Sequence, residues 1–192
     1  MAQTVIDSVL SRWQAYHFYY HDRQDLLLEN LLRPLFITLL KQREIDSFFF
    51  VRSQLGGPHV RLRLRLRVHM LSNEVAVADA LEEAAGPFFQ ASPSRVALAD
   101  EEIRKINQGI LQSDPSEMDD AIYPDNSVWA APFRPEVDRY GGPRLFLESL
   151  AFFTVSSCEV LDFLHQQAGN PGARLLPFAF HLLGRQALGL AR

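Results

Sequence analysis

The clearest pattern in the chain runs through His59-Val60-Arg61-Leu62-Arg63-Leu64-Arg65-Leu66-Arg67-Val68-His69, where apolar and basic positions alternate without a break. A period of two is what a pleated strand with one dry face produces. It predicts Val60, Leu62, Leu64, Leu66 and Val68 against the core. Arg61, Arg63, Arg65 and Arg67 then stand in a row on the other face, with successive stems roughly 7 Å apart. Like charges so close repel, and the row is comfortable only under water, partner carboxylates or a bound anion. The structural reading stands beside the functional one: arginine stems cover apolar area, and acidic side chains of neighbouring strands neutralise the heads.

Around this strand the pattern predicts a mixed set of elements. Aromatic crowding from Arg12 to Tyr20 suits a strand whose rings are core rather than a stacking platform. Leu27, Leu28, Leu31, Leu32, Leu35, Leu39 and Leu40 recur at helical spacing between Asp22 and Arg43, with a kink or break expected at Pro34. Ser47 to Arg52 reads as a short buried strand, and Gly56-Gly57-Pro58 as the turn into the arginine strand. A helix is expected from Asn73 to Ala85, stopped by Gly86-Pro87. A short strand near Arg95 to Ala99, a helix from Asp100 to about Ser113, an acidic loop to Asp125 and a strand from Ser127 to Phe133 follow. The last third reads as helical. One helix spans Pro143 to Gln167, with Leu147, Leu150, Ala151, Val155, Leu161 and Leu164 on buried sides, and another runs from Ala173 to Gly189. This order predicts an α+β fold, a two-layer ferredoxin-like mixed or antiparallel sheet with additional C-terminal helices. A single domain over residues 1–192 is expected, with the sheet and its packing helices in 1–133 and a helical appendage in 143–192.

Composition narrows the function classes. The chain has 192 residues, 47% of them hydrophobic, enough for a real core. A net charge of -4 argues against general coating of nucleic acid, which needs an excess of Lys and Arg, and makes direct nucleic-acid binding unexpected. No apolar run approaches the roughly 20 residues that span a bilayer, and the N-terminus does not read as a secretory signal. Cys158 is the single cysteine, which excludes an intramolecular disulfide. A cytoplasmic protein without metal or cofactor is the consistent expectation, since the histidines lack ligand spacing and no glycine-rich nucleotide loop is present. Cys158 itself reads as a small core residue of its helix rather than a nucleophile.

A second stretch supplies an independent signal. Phe133-Arg134-Pro135-Glu136-Val137-Asp138-Arg139-Tyr140-Gly141-Gly142-Pro143 puts two glycines just before a helix, where free amides help to hold an anion, with Arg139 and Tyr140 beside them. Glu136 and Asp138 read first as partners for Arg139 or the arginine row, and secondly as bases.

Together these stretches resemble a known family. Phe48-Phe49-Phe50-Val51-Arg52 followed by Gly57-Pro58-His59-Val60-Arg61-Leu62-Arg63 resembles the strand pair of the lantibiotic dehydratase C-terminal family, also called the thiopeptide-type bacteriocin biosynthesis domain. Pro135 to Gly142 resembles its second signature, and the likeness spans about Trp13 to Leu164. Ser53 and Phe133 depart from it, each standing where the family usually has tyrosine. The resemblance implies maturation of a ribosomally made peptide: elimination of glutamate from glutamylated Ser or Thr, leaving dehydroalanine or dehydrobutyrine. The alternatives are the formal [4+2] cycloaddition that builds a thiopeptide's pyridine ring, or a non-catalytic module that binds precursor peptide or a partner enzyme. It also implies partners, namely the precursor peptide with its leader and a separate glutamylating dehydratase subunit; a homodimer is compatible with the sequence.

Elimination removes a weakly acidic Cα proton and expels a carboxylate, so it needs a base and cations for the enolate and the departing anion. A guanidinium grips two oxygens at once. Arg61, Arg63 and Arg139 match the family's motif arginines and are the first candidates, with Tyr140 as a donor. His181 is the late candidate for a histidine that the family uses in elimination, and a plain helix residue is the competing reading. His59, Arg52, Arg65 and Glu136 are candidates for binding substrate.

Overall fold

The arginine strand sits inside a four-stranded sheet, as a computed structural model describing residues 8–114 and 121–167 places it. The strands are β1 (Trp13–Tyr19), β2 (Ile45–Ser53), β3 (His59–Leu66) and β4 (Ser127–Ala131), in the order β2-β3-β1-β4 with every neighbouring pair antiparallel. This is the ferredoxin-like order, so the expected α+β architecture holds and the sheet is antiparallel rather than mixed. The alternation in β3 works as the sequence implies for four of its five apolar residues. Val60, Leu62, Leu64 and Leu66 are fully buried, each contributing about 1.5–3 kcal/mol through burial. Val68 is the exception at 69% exposed. The strand ends at Leu66, Arg67 N–H donates to the Glu44 carbonyl, and Val68–Met70 turns away as a short 3-10 segment.

The buried face carries the main core. Gln24–Leu27, Leu28–Leu32 and Arg33–Lys41 follow one another as a single helix, α1, whose middle section is π-helical. The break expected at Pro34 is absent: the widened turn just before it carries the chain past a residue that has no N–H to give. Phe36 then stacks on Phe48 of β2 with ring centroids 3.9 Å apart. Helix α2 (Glu74–Ala91) packs Val77, Leu81 and Ala85 into the same core. It continues through Pro87, where a stop was expected, because Phe88 and Phe89 find the ring of Tyr20. Tertiary packing outweighs the lost helix hydrogen bond. The Tyr20 hydroxyl also donates to the Ser92 carbonyl at 3.0 Å. No strand forms over residues 95–99; the chain leads instead into α3 (Asp100–Ser113), where Glu102 Oε2 accepts the Ala99 N–H at 2.9 Å.

Helix α4 (Pro143–Gln166) guards the outer edge of β2. Ser157 Oγ accepts the Phe50 N–H at 3.1 Å, satisfying a donor that a bare edge strand would leave to solvent. Its buried stripe is Phe146, Leu150, Ser157 and Leu161. Ala151, Val155 and Cys158, expected inside, are exposed, because this helix meets the sheet along a narrow line rather than a broad face. Leu161 joins the main core, whereas Phe146 and Leu150 join a second cluster with Trp13 and Phe49 on the opposite face of the sheet. Leu10, Phe133, Val137, Tyr140, Leu147 and Phe153 pack against that cluster. It covers one end of the second sheet face and leaves the other end open. The helix expected over 173–189 lies outside the described residues. Among those residues no helix is long and apolar enough to cross a membrane.

Candidate functional site

The uncovered end of the sheet is the floor of a cavity of about 470 Å³. Strand register assembles it. Ala15, His17 and Tyr19 of β1 lie opposite Arg63, Arg61 and His59 of β3, while His17 also lies opposite Trp129 of β4. His17, Tyr19, Arg61, Arg63 and Trp129 line the floor, and Arg134, Glu136, Asp138 and Arg139 line the wall that the second signature stretch provides. Arg61, Arg63 and Arg139, from two distant segments, thus face one hollow. With Arg134, four arginines line it against two carboxylates.

The glycine turn aligns the floor. Gly56 and Gly57 take φ of +78° and +117°, a region that side-chain-bearing residues avoid. A Cβ on Gly56 would lie 2.7 Å from the Ala121 carbonyl oxygen. Gly56 N–H donates to Asn107 Oδ1 at 2.8 Å, which ties the turn to α3. The Gly57 carbonyl in turn accepts from His59 Nδ1–H at 2.8 Å. That bond leaves His59 Nε2 as the acceptor for Arg61 Nε–H, 3.3 Å away. His59 is completely buried, with its ring 4.5 Å from that of Tyr19 and 4.9 Å from that of His17. Its role in this arrangement is to aim Arg61. Arg63 is steadied by donating to the Leu62 carbonyl at 3.0 Å. Tyr123 stacks on Tyr19 and meets Trp129 edge to face, forming an aromatic side to the cavity.

Not every candidate reaches the cavity. Arg65 and Arg67 turn to the other end of the strand, where Asp46 draws in three guanidiniums: Arg12 in a close ion pair, Arg67 at 3.1 Å and Arg65 at 3.7 Å. Arg52 pairs with Asp25 outside the cavity, because its register position puts it on the helix side of the sheet. Tyr140 is not among the lining residues; its ring packs against Phe146 and Phe153. The Gly141 and Gly142 amides donate to the Asp138 and Val137 carbonyls and are not available to an anion. Glu136 acts as expected, accepting from Arg139 at 2.9 Å, and Asp114 holds the same guanidinium nitrogen at 3.0 Å. Glu136 is the first cause that keeps Arg139 firmly charged. His181 lies outside the described residues. Among those residues, no group of three His, Cys, Asp or Glu side chains is set to hold a metal ion.

His17 is the residue that sequence reasoning passed over, because it sits in an aromatic run that reads as core. Pairing β1 with β3 would have put it on the arginine face, since it shares the parity of Trp13 and Tyr19. Burial first, then His59, Arg63 and Arg61, push its pKa down to about 2, so the imidazole is neutral at ordinary pH. Its Nε2 is buried without a hydrogen-bond partner among the described residues.

Comparison with known proteins agrees with this architecture. A family model described as "Lantibiotic biosynthesis dehydratase C-term" matches residues 13–191. Among solved structures, a pyridine synthase, TbtD, from thiomuracin biosynthesis is similar with a TM-score of 0.71 at 23% identity, over 88% of this chain and 52% of that one. The tRNA dependent lantibiotic dehydratase MibB from Microbispora sp. 107891 is similar with a TM-score of 0.51 at 20% identity, over 85% of this chain and 12% of that one. At these identities the likeness concerns the fold, and the chain spans about half the length of the first of them. No curated protein matches.

Proposed function

This chain belongs to the lantibiotic biosynthesis dehydratase C-terminal family, and on that footing we propose that it matures a ribosomally synthesised peptide by eliminating glutamate from glutamylated serine or threonine. The observation that carries the proposal is the convergence of Arg61, Arg63 and Arg139 over one cavity. Elimination forms a Cα=Cβ bond as the Cα proton leaves and the Cβ–O bond breaks, with glutamate departing as a carboxylate. Arg61 and Arg63, fixed on a rigid strand, receive the departing carboxylate, and Arg139 on the wall stabilises charge developing on the peptide carbonyl. Arg61 arrives oriented because His59 and the Gly57 carbonyl hold it in line. In this reading a separate enzyme supplies the glutamylated peptide. Arg65 and Arg52 serve the fold, and Tyr140 shapes the wall by packing.

The second reading is pyridine formation by formal [4+2] cycloaddition, drawn from the fold shared with the pyridine synthase. One experiment separates the two. The protein is incubated with a synthetic peptide bearing a glutamyl ester on serine, and separately with a peptide bearing two dehydroalanines, and both are followed by mass spectrometry. Loss of glutamate from the first supports elimination. Loss of water and the leaving segment from the second supports ring formation, and unchanged masses with measurable binding indicate a binding module. Arg63→Ala should lower turnover at least about tenfold, the worth of a charge-assisted contact of about 1.5–3 kcal/mol. Unchanged turnover in that variant overturns the placement of the site.

A further inference from the structure

We propose that His17 is the proton-accepting group of this pocket, and that it takes up a proton when a carboxylate occupies the space beside Arg61 and Arg63. The inference rests on the reading of the pocket as a carboxylate receiver, and deepens it by naming the base.

Position comes first. His17 is in register with Arg61 on one side and Trp129 on the other, so its ring lies in the cavity floor directly beside the guanidiniums. Of the two stacked histidines, His59 has both ring nitrogens engaged, Nδ1 by the Gly57 carbonyl and Nε2 by Arg61. His17 Nε2, by contrast, is buried with no hydrogen-bond partner among the described residues. A buried nitrogen without a partner is a standing cost to the fold, relieved when a proton on it is shared with a bound anion.

Electrostatics then make the proton affinity conditional. The groups facing His17 are Tyr19 on its own strand, His59, Arg61 and Arg63 on β3, and Trp129 on β4. Across the cavity stand Arg134, Glu136, Asp138 and Arg139, with Glu136 already paired to Arg139. Every cause acting on the His17 imidazole pushes its pKa the same way, downward. A bound carboxylate offsets the fields of Arg61 and Arg63 and favours an imidazolium beside it, so proton affinity rises with occupancy. In elimination, a ring nitrogen of His17 takes the Cα proton, the C–H pair becomes the Cα=Cβ bond, and the Cβ–O pair leaves with glutamate. When the glutamate anion departs, Arg61 and Arg63 again disfavour the imidazolium, and its proton passes to solvent. The arginines that hold the leaving group thereby reset the base.

The test uses the whole protein and L-glutamate as probe. Titration calorimetry at about pH 6, where both glutamate carboxyls are ionised, is run in two buffers of different ionisation enthalpy. Net uptake of up to one proton per glutamate bound is expected, together with affinity that strengthens as pH falls, by at most about tenfold per unit. In His17→Gln the uptake should vanish and the affinity should lose its pH dependence. The measurement on the unmodified protein stands even if the variant fails to fold. Glutamate binding without proton uptake, or uptake that persists in His17→Gln, overturns the role of His17 and leaves the carboxylate reading intact. Failure of glutamate to bind the unmodified protein removes that reading and this one with it.

Discussion

The half-buried His17 makes a quantitative claim about acid stability. In the unfolded chain His17 titrates at its ordinary 6.5, whereas in the fold its pKa lies at about 2. Between those values the unfolded chain binds a proton that the folded one refuses. Stability therefore falls as pH drops below 6.5, by up to about 1.4 kcal/mol per pH unit for this group. At about pH 5 the accumulated loss from His17 is about 2 kcal/mol, a substantial share of the margin of an ordinary domain. His21, whose pKa burial also lowers, adds a loss of the same sign. His17→Gln removes the first contribution and leaves the second. Urea unfolding at constant ionic strength, at about pH 7.5 and about pH 5, reads the difference directly. The stability gap between variant and unmodified protein should move in favour of the variant by about 2 kcal/mol between the two conditions. A gap that stays constant with pH refutes the picture of a neutral imidazole held among guanidiniums.

Two other perturbations test the scaffold. Asp46→Asn leaves Arg12, Arg65 and Arg67 without their shared carboxylate; because these side chains are partly exposed, a loss of about 1–2 kcal/mol at low salt is expected. The loss should shrink in high salt, and salt independence in chemical denaturation would contradict it. Gly57→Ala forces a side chain onto φ +117° and brings its Cβ within 2.7 Å of His21 Nε2. It should cost about 1–3 kcal/mol and weaken glutamate binding by displacing the carbonyl that orients His59; undiminished stability and binding would show that the turn does not align the pocket floor.

Much of this was legible in the chain, for identifiable reasons. The alternation in β3 announces both its buried face and its basic face, since a period of two needs no tertiary information. The fate of each arginine does need it. Arg61 and Arg63 face the cavity, while Arg65 and Arg67 go to Asp46, and only the register between β2 and β3 decides where that division falls. His17 was hidden by the same gap, because its parity becomes meaningful only once β1 is known to pair with β3. Pro87 reads as a stop in isolation, yet contacts of Phe88 and Phe89 with Tyr20 carry α2 past it. Gly141-Gly142 reads as an anion cradle, yet its amides are taken by the preceding turn. In both cases a local rule yields to contacts made with residues that the rule does not see.

The π-helical turn at Leu28–Leu32 is equivalent to one residue slipped into an ordinary helix. Deleting one residue there would restore regular winding, and because the widened turn absorbs the extra residue, everything downstream would keep its facing. Phe36 would stay on Phe48, and Arg33 would keep its approach to Asp162. The same deletion in the regular winding of Arg33–Lys41 would instead rotate everything after it by about 100°. The loss of a residue is therefore to be tolerated within the widened turn, and not in the regular winding that follows it.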